Sequence, residues 1–271
     1  MLCGICFIFN KTNKYYMLNK IVNIAKEAGQ LIRENFRTNF EVEFKTSETN
    51  LVTAIDKKSE KLIIEYINKE FPGHKVLAEE SGGEYKSADY LWVIDPIDGT
   101  NNYAHGLPIF CVSIGVQKAG DTIYGVVYDV MRDAVYHAEK GGGAYCNSRK
   151  MKVSKNDKMG RSLLVTGFPY EVATKNPEHI LKIFSSFMLA SRGLRRLGSA
   201  ALDMCYVADG VFDGYWESFL YPWDMCAGQL LVQEAGGLVT DFNGNKRDIF
   251  GENIIASNGR VHGQMLDIVN S

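Results

Sequence analysis

The sequence lacks an apolar run that approaches the roughly twenty residues a helix needs to cross a bilayer, so no membrane span is predicted. It also lacks an excess of charge of either sign, with 30 Lys and Arg against 32 Asp and Glu and a formal net charge of −2. Nucleic acids and anionic membrane surfaces attract strongly basic proteins. The composition therefore predicts neither a nucleic-acid partner nor a membrane partner.

Paired cysteines of the zinc-binding kind are also missing. Cys3 and Cys6 have C-x-x-C spacing, but no second cysteine pair or nearby histidine completes a zinc site. The other cysteines stand singly in apolar surroundings and are expected to be buried free thiols: Cys111, Cys146, Cys205 and Cys226. Free thiols are typical of a reducing compartment, so we expect the protein to be cytoplasmic.

The chain divides into an extension and two halves. Its 271 residues can bury a sizeable core. Residues 1–9 are apolar but carry neither the basic start nor the cleavage site of a signal peptide, and we interpret residues 1–16 as an extension outside the core. Residues 17–150 are predicted to form an α+β half, and residues 151–271, where strands and helices alternate, an α/β half.

Hydrophobic periodicity predicts helices and strands in both halves. Helices are predicted over residues 18–36, 56–71, 176–188, 199–208, 224–235 and 261–269. Strands are predicted over residues 76–78, 90–94, 110–117, 122–130, 134–139, 162–167, 194–197, 212–216, 238–242 and 253–257. The strands between residues 110 and 139 are expected to form an antiparallel meander.

The segment Trp92–Asn102 carries the strongest chemical signal. An apolar run ends in Asp95 and Asp98, which flank Pro96. Because proline has no N–H, we expect the strand to stop at Asp95 and the chain to turn, so that the two carboxylates converge. A surface turn is the competing interpretation, since Asp-Pro and Asp-Gly are common turn formers. The buried strand favours a site in which Mg²⁺ separates the carboxylates, with a phosphate on the following Gly-Thr backbone.

Other acidic residues are candidates for the same site. Glu79 follows a short strand, although an adjacent pair of glutamates is also typical of a solvated turn. Asp224 opens a largely apolar helix and is either a rigid metal ligand or an N-cap. Asp56 opens the second predicted helix, where it either satisfies the helix dipole or orients Thr100 to activate a water molecule.

These segments together resemble the inositol monophosphatase family. The matching motifs are Trp92–Thr100, Pro222–Gly228 with Glu234–Gly237, Gly198–Asp203 and Lys45–Asp56, and the resemblance extends from Met17 to the end of the chain. It implies the layered αβαβα sandwich of the sugar phosphatases and a homodimer. Asn50, Asn101 and Ala78 depart from common family patterns without removing a metal ligand. The short segment between Glu80 and Asp95 predicts altered lithium sensitivity.

The resemblance also implies the role of each site residue. One Mg²⁺ would be held by Glu79, Asp95 and the carbonyl of Ile97, a second by Asp95, Asp98 and Asp224, and a third, weaker ion would lie near Glu79. Gly99 and Thr100 would bind phosphate through their N–H groups, and Thr100 with Asp56 would polarise the attacking water. Asp98 and Asp224 would also border the substrate, and its alcohol portion would face Gly198, Ser199, Ala200 and Glu217.

The predicted function is Mg²⁺-dependent hydrolysis of a phosphate monoester by direct attack of water, without a phosphoenzyme. The acidic Glu217 favours a polyol over a nucleotide, so myo-inositol 1-phosphate is the leading substrate. Fructose 1,6-bisphosphatase or dual activity is the main alternative, followed by 3′-phosphoadenosine 5′-phosphate and histidinol phosphate. A non-enzymatic alternative is a regulatory protein that binds the transcription machinery, as one bacterial branch of the family does.

Overall fold

The computed structural model describes residues 4–38, 42–44, 51–83, 88–169 and 176–271. Its helices are α1 (Gly4–Asn35), α2 (Ala54–Glu70), α3 (Thr100–Ala104), α4 (Pro177–Ala190), α5 (Ala200–Ala208), α6 (Pro222–Glu234) and α7 (His262–Val269). The strands of the first half are β1 (Val42–Phe44), β2 (Leu51–Thr53), β3 (Lys75–Ala78), β4 (Tyr90–Asp98), β5 (Cys111–Lys118), β6 (Asp121–Asp129), β7 (Ala134–Glu139), β8 (Gly143–Cys146) and β9 (Arg149–Lys150). Those of the second half are β10 (Leu163–Thr166), β11 (Gly193–Arg195), β12 (Gly214–Ser218), β13 (Leu238–Thr240) and β14 (Asn253–Ser257).

The first half builds a seven-stranded sheet in the order β3-β4-β5-β6-β7-β8-β9. Strand β3 runs parallel to β4, and the other neighbours are antiparallel, which confirms the predicted meander of β5, β6 and β7. Helices α1 and α2 pack on one face of this sheet because their apolar stripes meet the alternate side chains of β4, β5 and β6.

The second half builds a five-stranded mixed sheet in the order β11-β10-β12-β14-β13. Strands β11, β10 and β12 are parallel, whereas β14 is antiparallel to both of its neighbours. Helices α5 and α6 lie between the two sheets and form the central core, while α4 and α7 cover the outer face of the smaller sheet. The resulting layers, helix-sheet-helix-sheet-helix, confirm the expected αβαβα sandwich.

The largest error in the sequence prediction concerns Pro96. Strand β4 does not stop at Asp95 but continues to Asp98, with a bulge between Asp95 and Asp98 in its pairing with β5. Residues within a bulge do not form the regular hydrogen bonds between neighbouring strands. A proline, which has no N–H to donate, is therefore tolerated at this position. The carboxylates converge through this bulge rather than through a turn that ends the strand.

Several element boundaries also differ from expectation. Helix α1 begins at Gly4 rather than near Leu18, and α6 begins at Pro222, so that Asp224 is its third residue rather than its N-cap. The short strands β8 and β9 were not predicted, because a hairpin of four and two residues carries little periodic signal. Lys45 and Asn50 lie outside the described residues.

Two further expectations concern thiols and membranes. Of the four single cysteines, Cys111, Cys205 and Cys226 are buried and free, whereas Cys146 is free but only half-buried. The side chains of Cys3 and Cys6 are not among those described. Within the described ranges, no helix has both the length and the apolar character required to traverse a lipid bilayer.

Candidate active site

A cavity of about 380 Å³ opens where the two halves of the chain meet. It is lined by the end of β4, the start of α3, the start of α5, strand β12 and the start of α6. Twelve sequence-predicted site residues were named, and all except Asp56 line this cavity: Glu79, Asp95, Ile97, Asp98, Gly99, Thr100, Gly198, Ser199, Ala200, Glu217 and Asp224. Segments far apart in sequence therefore converge on one concave surface, which is the usual form of a small-molecule site.

The bulge in β4 aims two carboxylates into this cavity. Asp95 pairs with Ser113 and Asp98 with Cys111, so the two intervening residues are displaced from the regular ladder. The N–H of Ile97 donates to Asp95 Oδ1 at 3.0 Å, which fixes the orientation of this carboxylate within the bulge. The same bulge holds Asp95 and Asp98 rigidly, since both side chains are buried.

Glu79 and Asp224 reach the same cavity from other elements. Strand β3 ends beside β4, with Ala78 opposite Ile94, and the N–H of Glu79 donates to the carbonyl of Ile94 at 3.2 Å. Asp224 lies in the first turn of α6, where its Oδ2 accepts the N–H of Tyr221 at 2.7 Å. This contact is the reciprocal half of an N-terminal cap and fixes the carboxylate relative to the helix axis.

The carboxylates of Asp95, Asp98 and Asp224, with Glu79, repel each other, and a bound cation would relieve this repulsion. Burial, then the charges of Glu79, Asp98 and Asp224, raises the pKa of Asp95 well above its usual range. Burial also raises the pKa of Asp98 to about 6 and that of Asp224 well above its usual range. Among the described residues that line the cavity, Arg196 alone carries a positive charge.

The donor set fits Mg²⁺ better than a softer metal, because it consists of carboxylate and backbone oxygens. In the described part of the chain, no three acidic, histidine or cysteine side chains form a ready-made metal cage. Mg²⁺ does not require one, since it retains several waters and is usually held by one or two carboxylates together with substrate phosphate. Asp95, Asp98, Asp224, Glu79 and the carbonyl of Ile97 therefore suit this ion.

Thr100 and Asp56 form a hydrogen-bonded pair behind the carboxylates. Asp56 caps α2 by accepting from the N–H and the hydroxyl of Thr53 through Oδ2, which leaves Oδ1 directed at Thr100. The Thr100 hydroxyl lies 2.9 Å from Asp56 Oδ1 and 2.9 Å from the carbonyl of Ile97. Burial raises the pKa of Asp56 to about 6. The sequence predicts for Asp56 either an interaction with the helix dipole or the orientation of Thr100, and the structure places it both in the first turn of α2 and in contact with Thr100.

Gly99 shapes the turn between β4 and α3. Its φ of 103° is left-handed, and a Cβ there would lie 2.9 Å from the carbonyl of Ile109 and 3.2 Å from that of Gly198. Only glycine satisfies both constraints. The first N–H groups of α3 have no carbonyl within the helix to bond, and the cavity lies in front of them.

Asp98 joins the two halves of the chain. Its Oδ2 accepts the Ser199 hydroxyl at 2.6 Å and the Ala201 N–H at 2.7 Å, and its Oδ1 lies 3.2 Å from the Ala200 N–H. Asp98 thus caps the N-terminus of α5, a favourable position for an anion. Ser199 and Ala200, assigned to the substrate by resemblance, bond to Asp98 in this structure.

Glu217, on β12, lines the same cavity. It is buried and accepts the Tyr215 hydroxyl at 2.6 Å, and burial raises its pKa to about 7. Asp203, also buried, lines the cavity near Glu217, and its Oδ1 has no hydrogen-bond partner among the described residues. The sequence indicates Asp203 only as the last residue of the Gly198–Asp203 motif.

Asn102 and Gly167 were missed by sequence reasoning. The Asn102 amide donates to the carbonyls of Ile109 and Leu197, each at 2.8 Å, and so ties α3 to the loop that precedes α5. A Cβ on Gly167 would lie 2.1 Å from Glu217 Oε2. The only signal for Asn102 was its place in the Trp92–Asn102 segment, and no sequence signal indicated Gly167.

Comparison with known proteins accounts for this combination of fold and site. The profile of the inositol monophosphatase family matches residues 14–271. The chain belongs to the inositol monophosphatase family. This family generally uses Mg²⁺, in agreement with the oxygen-rich donor set.

Two curated relatives of this inositol monophosphatase family member span most of its length. Phosphatase IMPL1, chloroplastic, from Arabidopsis thaliana is 42% identical over 260 residues, which cover 93% of this chain and 69% of that protein. Nus factor SuhB from Escherichia coli strain K12 is 43% identical over 252 residues, 92% of this chain and 94% of that protein.

Solved structures agree with the family assignment. The inositol monophosphatase from Anabaena has a TM-score of 0.86 at 39% identity, covering 95% of this chain and 96% of that one. An IMPase/NADP phosphatase complexed with Mg²⁺ and phosphate has a TM-score of 0.84 at 26% identity, covering 96% and 97%. SaIMPase-II bound to inositol monophosphate has a TM-score of 0.79 at 32% identity, covering 93% and 92%. The family and these neighbours indicate a phosphatase that acts on small phosphate esters.

Proposed function

We propose that the protein is a Mg²⁺-dependent phosphatase that hydrolyses a polyol phosphate, with myo-inositol 1-phosphate as its preferred substrate. The observation that carries the proposal is the convergence of Asp95, Asp98 and Asp224 on one cavity beside Thr100 and its partner Asp56. A structural neighbour that contains Mg²⁺ and phosphate, and another that contains inositol monophosphate, support the choice of ion and substrate class.

Two or three Mg²⁺ ions would be held by Glu79, Asp95, Asp98, Asp224 and the carbonyl of Ile97. When bound, such ions neutralise the phosphate dianion, lower the pKa of a coordinated water and stabilise the leaving oxygen. No protein nucleophile is required, because water attacks the phosphorus directly. Trapping of a phosphorylated side chain during turnover would contradict this mechanism.

The chain itself positions the water and the phosphate. With its hydrogen donated to Asp56 Oδ1, the Thr100 hydroxyl presents a lone pair that accepts a hydrogen bond from the attacking water. Thr100 can then receive the proton of that water while its own proton moves to Asp56. The N–H groups of Gly99 and Thr100 face the phosphate oxygens at the start of α3, where the backbone dipole favours an anion.

Glu217 would select the alcohol portion of the substrate. Its carboxylate lines the cavity, held by Tyr215, and a carboxylate accepts hydrogen bonds from hydroxyl groups. Gly198, Ser199 and Ala200 line the same cavity. A polyol satisfies these acceptors better than a nucleobase, so fructose 1,6-bisphosphate is the next candidate, ahead of nucleotide or histidinol phosphates.

A phosphate-release panel tests the function. Inositol 1-phosphate, fructose 1,6-bisphosphate, 3′-phosphoadenosine 5′-phosphate and histidinol phosphate would be compared with and without Mg²⁺. We expect hydrolysis only with Mg²⁺, greatest for inositol 1-phosphate, and a loss of at least about a thousand-fold in Asp95→Asn and Asp224→Asn. Hydrolysis of none of these esters at any Mg²⁺ concentration, or full activity in both variants, would refute the proposal.

A second candidate function is binding to the transcription machinery, favoured by the naming of several relatives as Nus factors. A pull-down of RNA polymerase with wild type and Asp95→Asn distinguishes the two functions. Binding that is equal for the two proteins would show a role separable from hydrolysis, and no binding by either would remove this candidate.

Four other expectations stay predictions: the homodimer, the cytoplasmic location, the division at residues 16 and 150, and the altered lithium sensitivity. Sedimentation of the purified protein tests the first. Activity at millimolar LiCl tests the last, which depends on the segment between Glu80 and Asp95, part of which lies outside the described residues.

A further inference from the structure

One face of α2 lies along the active site. Its residues Asp56, Ser59 and Glu60 have the i, i+3, i+4 spacing that places side chains on one side of a helix, and all three are buried. Asp56 bonds to Thr100, and the Ser59 hydroxyl lies 3.4 Å from the carbonyl of Pro96 in the bulge. Burying the charged Glu60 is costly unless its carboxylate accepts hydrogen bonds.

Glu60 makes such a bond to the turn that carries Glu79. Its Oε2 accepts the N–H of Glu80 at 2.8 Å, across twenty residues of sequence. The turn is also held by the Glu79 N–H on the carbonyl of Ile94 and by two reciprocal bonds of 2.9 Å between Ala78 and Gly82. Glu60 thus fixes the peptide that directly follows Glu79, on the side facing α2.

We propose that Glu60 is a positioning residue that orients Glu79 for Mg²⁺ binding. The inference rests on the proposed function, since it assumes that Glu79 is a ligand. Side chains that hold a ligand in place without touching the metal typically contribute about 10-fold to 100-fold in metal affinity. The Cα of Glu79 belongs to the Glu79–Glu80 peptide plane, so a shift of this peptide away from α2 would displace the Glu79 carboxylate relative to Asp95, and the Glu60 bond opposes that shift.

Three variants separate the hydrogen bond from the charge. Glu60→Asp keeps the charge but is one methylene too short to reach the Glu80 N–H. Glu60→Gln keeps the length and an oxygen acceptor but removes the charge. Glu60→Met keeps the length and removes both, and so supplies a second variant without the contact. Glu65→Asp is the matched control, because Glu65 is an exposed residue on the same helix.

Isothermal titration of each full-length protein with MgCl₂ measures the effect without catalysis. We expect Mg²⁺ affinity to fall about 10-fold in Glu60→Asp and Glu60→Met, and to stay within about two-fold of wild type in Glu60→Gln and Glu65→Asp. Hydrogen exchange of the peptide containing residues 79–82, measured without metal, should quicken only in the two variants that lose the contact. Circular dichroism and thermal unfolding verify that each protein is folded.

Each outcome decides a different point. Wild-type affinity in Glu60→Asp and Glu60→Met would overturn the positioning role. Equal weakening in Glu60→Gln would overturn it as well, because charge rather than the hydrogen bond would then matter. Absence of Mg²⁺ binding by folded wild type would instead refute the proposed function.

Discussion

At the scale of single residues, space is as important to the site as charge. The Glu217 side chain can extend from β12 past the end of β10 only because Gly167 has no side chain, and Gly99 can turn the chain into α3 because glycine adopts its positive φ without strain. Neither glycine supplies a reacting group. Both define where the carboxylate and the backbone donors stand, and a single methyl group at either position disturbs that arrangement.

Gly167→Ala should impair recognition of the alcohol. The added Cβ would lie 2.1 Å from Glu217 Oε2, so the carboxylate must move and lose its bond to Tyr215. We expect kcat/KM for inositol 1-phosphate to fall about ten-fold, which corresponds to a loss of about 1.4 kcal/mol of binding free energy. The value for p-nitrophenyl phosphate should change little, because this ester has no free hydroxyl group for Glu217 to bind. Steady-state kinetics on both substrates would check this. Gly160→Ala, where the nearest atom is 3.8 Å away, is the control. Equal losses on both substrates would contradict the assigned role of Glu217.

Single residues also show which parts of the site a sequence can predict. Asp95, Asp98 and Asp224 were predictable because each lies in a local pattern of strand end, turn or helix start. The contacts of Asn102, the space at Gly167 and the bond between Glu60 and Glu80 join residues distant in sequence, and no local pattern encodes them. That Asp56 both lies in the N-terminal cap of α2 and bonds to Thr100 could be learned only from its three-dimensional neighbours.

At the scale of secondary-structure elements, α6 connects the site to the core. Its first turn carries Asp224, and its body lies against β5 and β6 in the central layer. Close approach is possible because Gly115 and Gly125 face it from the sheet. The position of Asp224 therefore depends on how closely α6 packs on these strands.

Gly125→Ala should destabilise the protein and reduce its activity. The new Cβ would lie 2.7 Å from the carbonyl oxygen of Ala227 and 3.1 Å from its Cα, and these are backbone atoms that can move only with the whole helix. Overpacking of this kind costs about 1–3 kcal/mol. Urea unfolding measures the loss, and phosphate release should fall because α6 carries Asp224. Gly263→Ala, with no atom within 4 Å, should leave stability unchanged or slightly higher. A wild-type midpoint for Gly125→Ala would show that the sheet accommodates the methyl group.

His262 links three elements of the second half and makes their packing depend on pH. Its ring bonds to Thr240 on β13 at 2.9 Å and to Ser257 on β14 at 2.8 Å, while the residue itself begins α7. Burial lowers the pKa of His262 to about 4 from 6.5. Between pH 6.5 and about pH 4, His262 binds a proton in the unfolded chain but not in the folded protein. The stabilisation of the folded state by neutral His262 is therefore constant above pH 6.5 and is lost as the pH falls towards 4.

His262→Gln should flatten this pH dependence. On acidification, protonation of His262 should reduce the unfolding free energy of the wild type by up to about 3 kcal/mol. His262→Gln should not show this part of the loss. Urea unfolding at pH 7.5 and about pH 4.5 gives the difference for each protein. Replacement of the exposed His105 serves as the control. If wild type and His262→Gln lose equal stability, the histidine is not buried in its neutral form.

Secondary-structure elements, like the site residues, could be predicted only where a local sequence pattern specifies them. Most helices and strands were predicted within a few residues, because periodicity is a local property. The passage of β4 through Pro96 was mispredicted because pairing with β5 on one side supports a strand that the proline alone would end. Hairpin β8–β9 is too short for its own signal, and its place is set by pairing with β7.

At the scale of the whole molecule, the two halves meet at a set of like charges. Asp98 belongs to the first half and caps α5 in the second, while Asp224 of the second half faces Asp95 of the first. The fold class could be predicted from the resemblance to the inositol monophosphatase family. It was also indicated by the change from an α+β first half to a second half in which strands and helices alternate. The apposition of acidic groups could not be read from composition, because a net charge of −2 conceals their local concentration.

Asp95→Asn therefore should exchange function for stability. In EDTA, the variant should unfold at a higher temperature than wild type. The substitution removes one of four acidic groups that repel each other in the cavity: Glu79, Asp95, Asp98 and Asp224. Each 1 kcal/mol of added unfolding free energy should raise Tm by about 2–4 °C. Saturating Mg²⁺ should stabilise wild type by mass action, about 2.7 kcal/mol at a hundred times Kd, but should leave the variant almost unchanged. Differential scanning calorimetry with and without Mg²⁺ measures both effects, and Asp121→Asn, at an exposed position, is the control. A variant less stable than wild type in EDTA would show that the Asp95 carboxylate supports the fold, through its bond to the Ile97 N–H, more than it strains it.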